Sequence, residues 1–245
     1  MNNYKLIIQY DGARYKGWQR LGDSDSTIQG KIEHVLSEML QKPIEITGCS
    51  RTDAGVHAYY QVANFRAADD IHEQEIKRYL NRYLPQDISI LGVERVPERF
   101  HARLAAKAKT YLYQIHNEAH GNPFLRRYSM HIEKQLDLEA MRKAAGYFLG
   151  SHDFTAFSNA RSKTKSMVRL IHSIDITKND GLVQIRIRGN GFLHNMVRRM
   201  VGVLILAGLN EMEPDSVPAL LSDRRRSGVG ITAEACGLIL ESIEY

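Results

Sequence analysis

The sequence predicts an α+β fold built from two units, each with the element order βαββαβ and a mainly antiparallel sheet. Three observations lead to this prediction. Short runs rich in β-branched and aromatic residues alternate with apolar residues at helical spacing through the first hundred residues. The same order recurs in the rest of the chain, although the residues themselves show no obvious repeat. A polar turn at residues 178–181 separates two strand-like runs, which is typical of an antiparallel hairpin.

The first predicted unit spans residues 1–100. Its strands are expected at residues 4–10, 44–47, 61–66 and 88–96. Two helices lie between them, with apolar residues at helical spacing from position 28 to 40 and from position 76 to 84. Ser26 and Gln29 have the spacing of a capping box, which predicts Ser26 as the residue that caps the first helix.

The second predicted unit spans residues 101–245, and the junction is placed near residue 100. Strands are expected at residues 107–116, 170–177, 182–188 and 238–243, and helices at 138–149 and 192–209. Asp137 precedes the first of these helices and is a candidate cap. Both units therefore have the order of a ferredoxin-like subdomain.

Charge and cysteine usage restrict the classes of function. The net charge is +5, but it is unevenly divided: residues 1–98 hold 12 basic and 14 acidic residues, and residues 99–245 hold 21 and 14. A positive second half suits a polyanionic partner such as nucleic acid, although modest positive charge is common in proteins. Two distant cysteines and scattered histidines argue against disulfides and metal sites. With no signal peptide or membrane-spanning run in the sequence, we expect a cytoplasmic protein.

The segment at residues 48–58 is the most unusual in the chain. It follows a strand, has neither the helical nor the strand period, and contains a glycine that permits a tight turn. An Asp beside an Arg on such a loop is usually an ordinary surface ion pair. The string reads Arg51-Thr52-Asp53-Ala54-Gly55-Val56-His57-Ala58. As a whole, however, it closely resembles the active-site loop of the tRNA pseudouridine synthase A family.

Other segments resemble the same family in the same order along nearly the whole chain. They are Tyr10-Asp11-Gly12 with Gly17-Trp18-Gln19, Phe100-His101-Ala102-Arg103 with Lys109-Thr110-Tyr111-Leu112-Tyr113, His152-Asp153-Phe154-Thr155-Ala156-Phe157, Gly191-Phe192-Leu193-His194-Asn195-Met196-Val197-Arg198, and Gly237-Leu238. One position departs, because the family usually has Gly where Ser50 stands. Serine fits there unless the backbone requires a positive φ.

The resemblance implies a pseudouridine synthase fold and the roles of five residues. Asp53 would be the catalytic carboxylate, and Arg198 would pair with it and keep it ionised. Tyr111 would stack on the displaced base or act as general base, and Leu238 would pack against the uracil. Arg51 would occupy the space that the flipped uridine leaves in the RNA. Taken without the resemblance, the tyrosine and the leucine would be ordinary core residues, and Arg198 would be a solvated charge on a helix.

The resemblance also implies the substrate and the assembly. The substrate would be uridine at positions 38–40 of the tRNA anticodon stem-loop, and the enzyme would be a homodimer without metal or cofactor. Whether the carboxylate attacks C1′, adds to the base or acts through a glycal stays open. His57 would brace the loop without being catalytic.

Two basic surfaces are candidates for holding RNA. Arg186 and Arg188 alternate with apolar residues along one strand, so one face of that strand should be apolar and the other basic; a solvated polar face is an equal alternative. Arg161, Lys163 and Lys165 form a basic loop suited to phosphates.

Three other functions compete with tRNA isomerisation. An RNA-binding module that has lost catalysis is disfavoured by the joint presence of Asp53, Tyr111 and Arg198. A paralogue that modifies another structured RNA has only Ser50 as a hint. A hydrolase based on Asp53 lacks a second carboxylate in a comparable motif.

Overall fold

A computed structural model describes residues 1–22, 26–158, 166–223, 225, 229 and 231–245. The chain forms two compact units, Met1–Lys107 with Ile239–Tyr245, and Ala108–Leu238. Helices and strands are both present, and the predicted α+β class is confirmed. Within the described residues no helix is long and apolar enough to cross a membrane.

The regular elements are numbered along the chain. The strands are β1 (Asn2–Tyr10), β2 (Thr47–Gly48), β3 (His57–Ala67), β4 (Ile88–Val96), β5 (Ala108–His116), β6 (Met130–His131), β7 (Gly150–Asp153), β8 (Val168–Asn179), β9 (Leu182–Gly189) and β10 (Leu238–Glu244). The helices are α1 (Ile28–Leu40), α2 (Glu73–Tyr83), α3 (Leu138–Gly146), α4 (Met196–Gly208) and α5 (Val217–Ser222).

The first unit has the predicted βαββαβ order. Its strands lie in the order β4-β1-β3, with β2 on the outer side of β3, and all these pairs are antiparallel. Helix α1 buries Ile28, Ile32 and Leu36, and α2 buries Ile76 and Leu80. Those residues recur every four positions, so each helix presents one apolar stripe to the core.

The predicted strand at 44–47 shortens to β2, because α1 takes over the hydrogen bonds of this segment. The backbone N–H of Ile44 donates to the Ser37 hydroxyl at 2.9 Å, and that of Ile46 donates to the Glu33 carboxylate at 2.9 Å. Both isoleucines are buried, yet their amides do not need a neighbouring strand.

The capping-box prediction is wrong by one residue and in its partner. Thr27 caps α1, and its hydroxyl accepts from the N–H of Gly30 at 3.2 Å. The Gln29 side chain instead donates to Glu33 at 2.8 Å and to the Ile46 carbonyl at 3.2 Å. A tertiary contact therefore claims the side chain that the local pattern assigned to the helix end.

The second unit is a sheet in the order β5-β9-β8-β7, with β6 parallel to β5. Asp180 and Gly181 join β8 to β9 with φ of 45° and 73°, so the predicted hairpin is confirmed and has the positive φ values of a type I′ turn. The predicted cap of α3 is confirmed too, since Asp137 accepts from the N–H groups of Glu139 and Ala140.

The structure differs from the prediction in three further respects. Strands β6 and β7 and helix α5 were not expected. Helix α4 begins at Met196 rather than at residue 192, because Asn195 has a left-handed φ of 61°. The prediction gave residues 101–245 to the second unit, whereas the first unit extends to Lys107 and resumes at Ile239. Strand β10 pairs in parallel with β3, with Ile239 opposite His57, and this pairing makes the last strand part of the first unit.

Candidate active site

The loop between β2 and β3 presents alternate side chains outward. Arg51 is exposed and Asp53 half-exposed, whereas Thr52 and Val56 are buried. Gly55 has a φ of 79°, and the N–H of Val56 donates to the Asp53 carbonyl at 3.2 Å, which closes the turn. The buried side chains therefore anchor the loop on both sides of the half-exposed carboxylate.

The segment that follows β1 supports this loop at Thr52. The hydroxyls of Tyr10 and Thr52 are hydrogen-bonded at 2.7 Å, and the N–H of Trp18 donates to the Thr52 carbonyl at 3.1 Å. Gly17 has a φ of 100°, and a Cβ there would lie 2.7 Å from the Thr52 carbonyl oxygen. Side chain and backbone of the residue before Asp53 are thus both fixed.

A second support acts at the other end of the loop. The buried His57 has its Nδ1 3.1 Å from the N–H of Gly12 and 3.0 Å from a carboxylate oxygen of Asp11. Nδ1 accepts from Gly12 in one tautomer and donates to Asp11 when it carries the proton, so one contact is made at a time. A Cβ on Gly12 would meet the Val56 carbonyl oxygen at 2.0 Å, so only glycine fits there.

Ser50 is held by Gln61 of β3. The Ser50 N–H donates to the Gln61 side-chain oxygen at 3.2 Å, and the Gln61 amide donates to the Ser50 carbonyl at 2.7 Å. The described non-glycine residues with positive φ are Gln41, Asp180, Asn195 and Asn210. Ser50 is not among them, so a serine fits here without backbone strain.

The second unit fixes the other predicted site residues. Tyr111 on β5 is buried, lies opposite Ile187 of β9, and meets the ring of Phe192 edge-on with the centroids 5.2 Å apart. Arg198 in α4 donates from Nε to the Ala233 carbonyl at 2.7 Å, and the Ala233 N–H donates to the Arg198 carbonyl at 3.0 Å. Leu238 is buried at the start of β10.

Tyr113, two residues along β5 from Tyr111, has a different environment. It is fully buried, and its hydroxyl donates to the Glu234 carbonyl at 2.8 Å. Burial raises the pKa of Tyr113 well above the usual tyrosine value. A hydroxyl with so high a pKa stays protonated, so Tyr113 has a structural function as a hydrogen-bond donor.

The predicted site residues are divided between the two units. Arg51 and Asp53 share one loop of the first unit, and Tyr111, Arg198 and Leu238 belong to the second. The ion pair between Asp53 and Arg198 therefore stays a prediction. The contacts of Tyr10 and Gln61 were not predicted; the glycines at 12 and 17, in a segment without a regular period, were the available signal of a close backbone approach.

The expected alternation along β9 is confirmed. Val183, Ile185 and Ile187 are fully buried, whereas Arg186 and Arg188 are half-exposed. Arg186 donates to the side-chain oxygen of Gln184 at 3.2 Å. Arg161, Lys163 and Lys165 lie outside the described residues. Within the described residues, no group of three or more His, Cys, Asp or Glu side chains could hold a metal ion.

A carboxylate on a braced loop and a strand face that carries arginines fit an RNA-modifying enzyme. The family model described as tRNA pseudouridine synthase matches residues 6–104 and 144–245. Over 100% of both chains, the sequence is 60% identical to tRNA pseudouridine synthase A 2 of Bacillus anthracis, 59% identical to tRNA pseudouridine synthase A of Bacillus sp. (strain KSM-64), and 42% identical to tRNA pseudouridine synthase A of Ruminiclostridium cellulolyticum. The chain belongs to the tRNA pseudouridine synthase family, and it is an isomerase that acts on uridine in tRNA.

The close approach at Gly17 generates a prediction. Gly17→Ala should lower turnover by about a hundred-fold. The added Cβ would displace the Thr52 carbonyl and with it the Asp53 carboxylate, and a displacement of about 1 Å in a reacting group is enough for a loss of this size. Turnover is measured as tritium released from tRNA that contains 5-tritiated uridine. Gly22→Ala is the control, since nothing lies within 4 Å of a Cβ there. Wild-type turnover in Gly17→Ala would show that the loop does not depend on this contact.

Proposed function

We propose that this enzyme converts uridine to pseudouridine at positions 38–40 of the tRNA anticodon stem-loop, with Asp53 as its catalytic carboxylate. The observation that carries the proposal is the loop at residues 50–57, in which Thr52, His57 and Ser50 are each hydrogen-bonded to another part of the first unit. A carboxylate on a loop held at three points is preorganised, and preorganisation is what catalysis requires of a charged group.

The reaction moves one glycosidic bond and needs no net oxidation. The bond between N1 and C1′ breaks, the uracil turns, and a bond between C5 and C1′ forms. The proton on C5 then passes to a base, and N1 gains a proton. Asp53 either attacks the nucleoside or stabilises positive charge at C1′, and the three routes that stay open are attack at C1′, addition to the base and a glycal route.

We assign the remaining roles to residues whose positions are fixed by their neighbours. Tyr111 stacks on the uracil or accepts the C5 proton, and its edge-on contact with Phe192 restricts the orientation of its ring. Arg198 pairs with Asp53, and its bond to the Ala233 carbonyl orients the guanidinium. Leu238 packs against the base.

Uridine in a stacked stem-loop must leave the stack before it can react. Arg51 is exposed and lies two residues from Asp53. Its planar guanidinium suits the space between neighbouring bases. We therefore assign Arg51 to the place that the uridine vacates.

A different structured RNA is the second candidate substrate, and Ser50 was its only support. The ordinary φ of Ser50 and its bonds to Gln61 show that serine leaves the loop undistorted. We therefore retain tRNA as the substrate.

We also propose that the enzyme is located in the cytoplasm, where tRNA is found, and that it is a homodimer.

Asp53→Asn should abolish isomerisation and leave tRNA binding nearly intact. Asparagine keeps the shape of the side chain but has no negative charge, so the loss should appear in turnover rather than in affinity. Turnover is measured by tritium release and affinity by filter binding. Asp70→Asn, at an exposed carboxylate paired with Arg95, is the matched control. Tritium release by Asp53→Asn near the wild-type rate would disprove the assignment.

Affinity for tRNA should fall steeply with salt, and Arg186 and Arg188 should contribute to the slope. Each phosphate contact releases counterions and adds roughly 0.7–0.9 to the slope of log affinity against log salt. Replacing both arginines by Ala should therefore lower the slope by about 1.5. Gln184→Ala, on the same strand face, removes no charge and should leave the slope unchanged. An unaltered slope in the double variant would mean that the two arginines are merely solvated.

The active enzyme should be a homodimer. Residues 1–98, which include Asp53, hold 12 basic and 14 acidic residues, and a two-fold partner would supply a second basic unit to the same RNA. Light scattering should give twice the chain mass at assay concentrations. A monomer that keeps full activity on dilution would refute this expectation.

A further inference from the structure

The segment at residues 124–128 exposes an aromatic ring beside two positive charges. Phe124 is 90% exposed, the highest exposure among the described large apolar residues, and Tyr128 is 39% exposed. Arg126 and Arg127 between them are also exposed. The catalytic assignments use none of Phe124, Arg126 and Arg127. We call residues 124–128 the aromatic–basic turn.

Hydrogen bonds hold the aromatic–basic turn in one conformation. The Phe124 N–H donates to the Asn122 side chain at 2.9 Å, and the N–H groups of Leu125 and Arg126 donate to the Asn122 carbonyl at 3.1 and 3.2 Å. The Tyr128 N–H donates to the Leu125 carbonyl at 2.8 Å. The exposure of Phe124 is therefore a property of an ordered turn, and the ring is presented outward in advance of binding.

A row of hydrogen-bonded side chains connects the aromatic–basic turn to the half-exposed face of β9 that carries Arg186 and Arg188, here called the arginine face. Gln114 of β5 donates to the Tyr128 carbonyl at 3.0 Å. Gln184 of β9 donates to the Gln114 side-chain oxygen at 3.2 Å, and Arg186 donates to the Gln184 side-chain oxygen at 3.2 Å. The turn and the arginine face are consequently two parts of one polar surface of the second unit.

Charge favours a polyanion on this surface. Arg126 and Arg127 form no ion pair with any described residue, so their charges are not neutralised there. Closely spaced arginines bind phosphates, and an exposed Phe offers the face on which an unstacked base can lie. An aromatic ring beside positive charges is a combination with which proteins hold single-stranded nucleotides.

We propose that the aromatic–basic turn is an RNA contact: Phe124 stacks on an unpaired nucleotide of the tRNA, and Arg126 and Arg127 bind the flanking phosphates. The contact extends the surface that begins at Arg186 and Arg188. The inference rests on the proposed function, since it takes tRNA as the polyanion. It adds a positioning site to the residues assigned to catalysis.

Substitutions at Phe124 separate stacking from apolar contact. Affinity for tRNA is measured by fluorescence anisotropy at constant salt. Phe124→Trp keeps an aromatic face and should bind within about twofold of wild type, whereas Phe124→Leu and Phe124→Ala should bind about tenfold more weakly. Phe124 is almost fully exposed, so these variants should unfold at the wild-type temperature. Wild-type affinity in Phe124→Leu would overturn the proposal.

The arginines are tested by the salt dependence of the same binding. Replacing Arg126 and Arg127 together by Ala should lower the slope of log affinity against log salt by about 1.5. An unchanged slope would overturn their assignment to phosphates.

Tyr83→Leu is the matched control for Phe124→Leu, because Tyr83 is an aromatic residue of the first unit that is 53% exposed. Its tRNA affinity should equal that of wild type, and an equal loss in both variants would overturn a specific role for Phe124.

A second copy of the chain is the other possible occupant of the turn, and light scattering distinguishes it. If Phe124→Leu halves the mass of the particle and leaves affinity per assembled enzyme unchanged, the turn is a subunit interface and the proposal is overturned. Tritium release by wild type is measured in parallel. If wild type releases tritium and Phe124→Leu binds tRNA as tightly as wild type, this proposal alone is contradicted. If wild type neither binds nor isomerises tRNA, the proposed function is contradicted as well.

Discussion

The approach of two backbones within the first unit is the constraint on which the proposed catalytic loop depends. The segment between β1 and α1 runs so close to residues 52–56 that a Cβ on Gly12 or Gly17 would overlap a carbonyl oxygen of the loop. At this separation the N–H of Trp18 reaches Thr52 and the N–H of Gly12 reaches His57. Two glycines therefore allow an irregular loop to become a fixed support for Asp53. The cost is entropic, because glycine is more flexible than any other residue in the unfolded chain and loses that freedom on folding.

The local patterns predicted elements where a strand or helix is stabilised by its own residues. Strand β4 matches its predicted bounds, and the β8–β9 hairpin and the Asp137 cap follow from turn and cap chemistry. The predictions failed where a distant side chain claimed a backbone group. Glu33, a carboxylate buried at 4% exposure, satisfies the Ile46 amide and removes the need for a strand at 44–47. Such contacts leave no period in the sequence.

In the candidate site, too, local patterns were predicted and contacts between distant residues were not. Asp53 was predicted to be the catalytic carboxylate because its eight-residue loop resembles a known family, not because its spacing indicates an active site. The supports of that loop, Tyr10 and Gln61, act over 42 and 11 residues of chain, and neither lies in a local motif with the residue that it holds. By contrast, the arginine face of β9 follows directly from alternation, since a strand with one buried face must expose every second residue.

The proposed chemistry and the proposed RNA contacts place opposite demands on side chains. The carboxylate has to be fixed before the transition state forms, so the residues around it are buried and hydrogen-bonded. Phosphate contacts tolerate variation in position, so long exposed arginines suffice, although each loses rotamer freedom on binding. The bonds from Arg186 through Gln184 and Gln114 to the Tyr128 carbonyl would reduce that loss for Arg186 in the proposed RNA contact, because they restrict its side chain in advance. Under the proposed function, a surface ordered in this way positions the tRNA as well as attracting it.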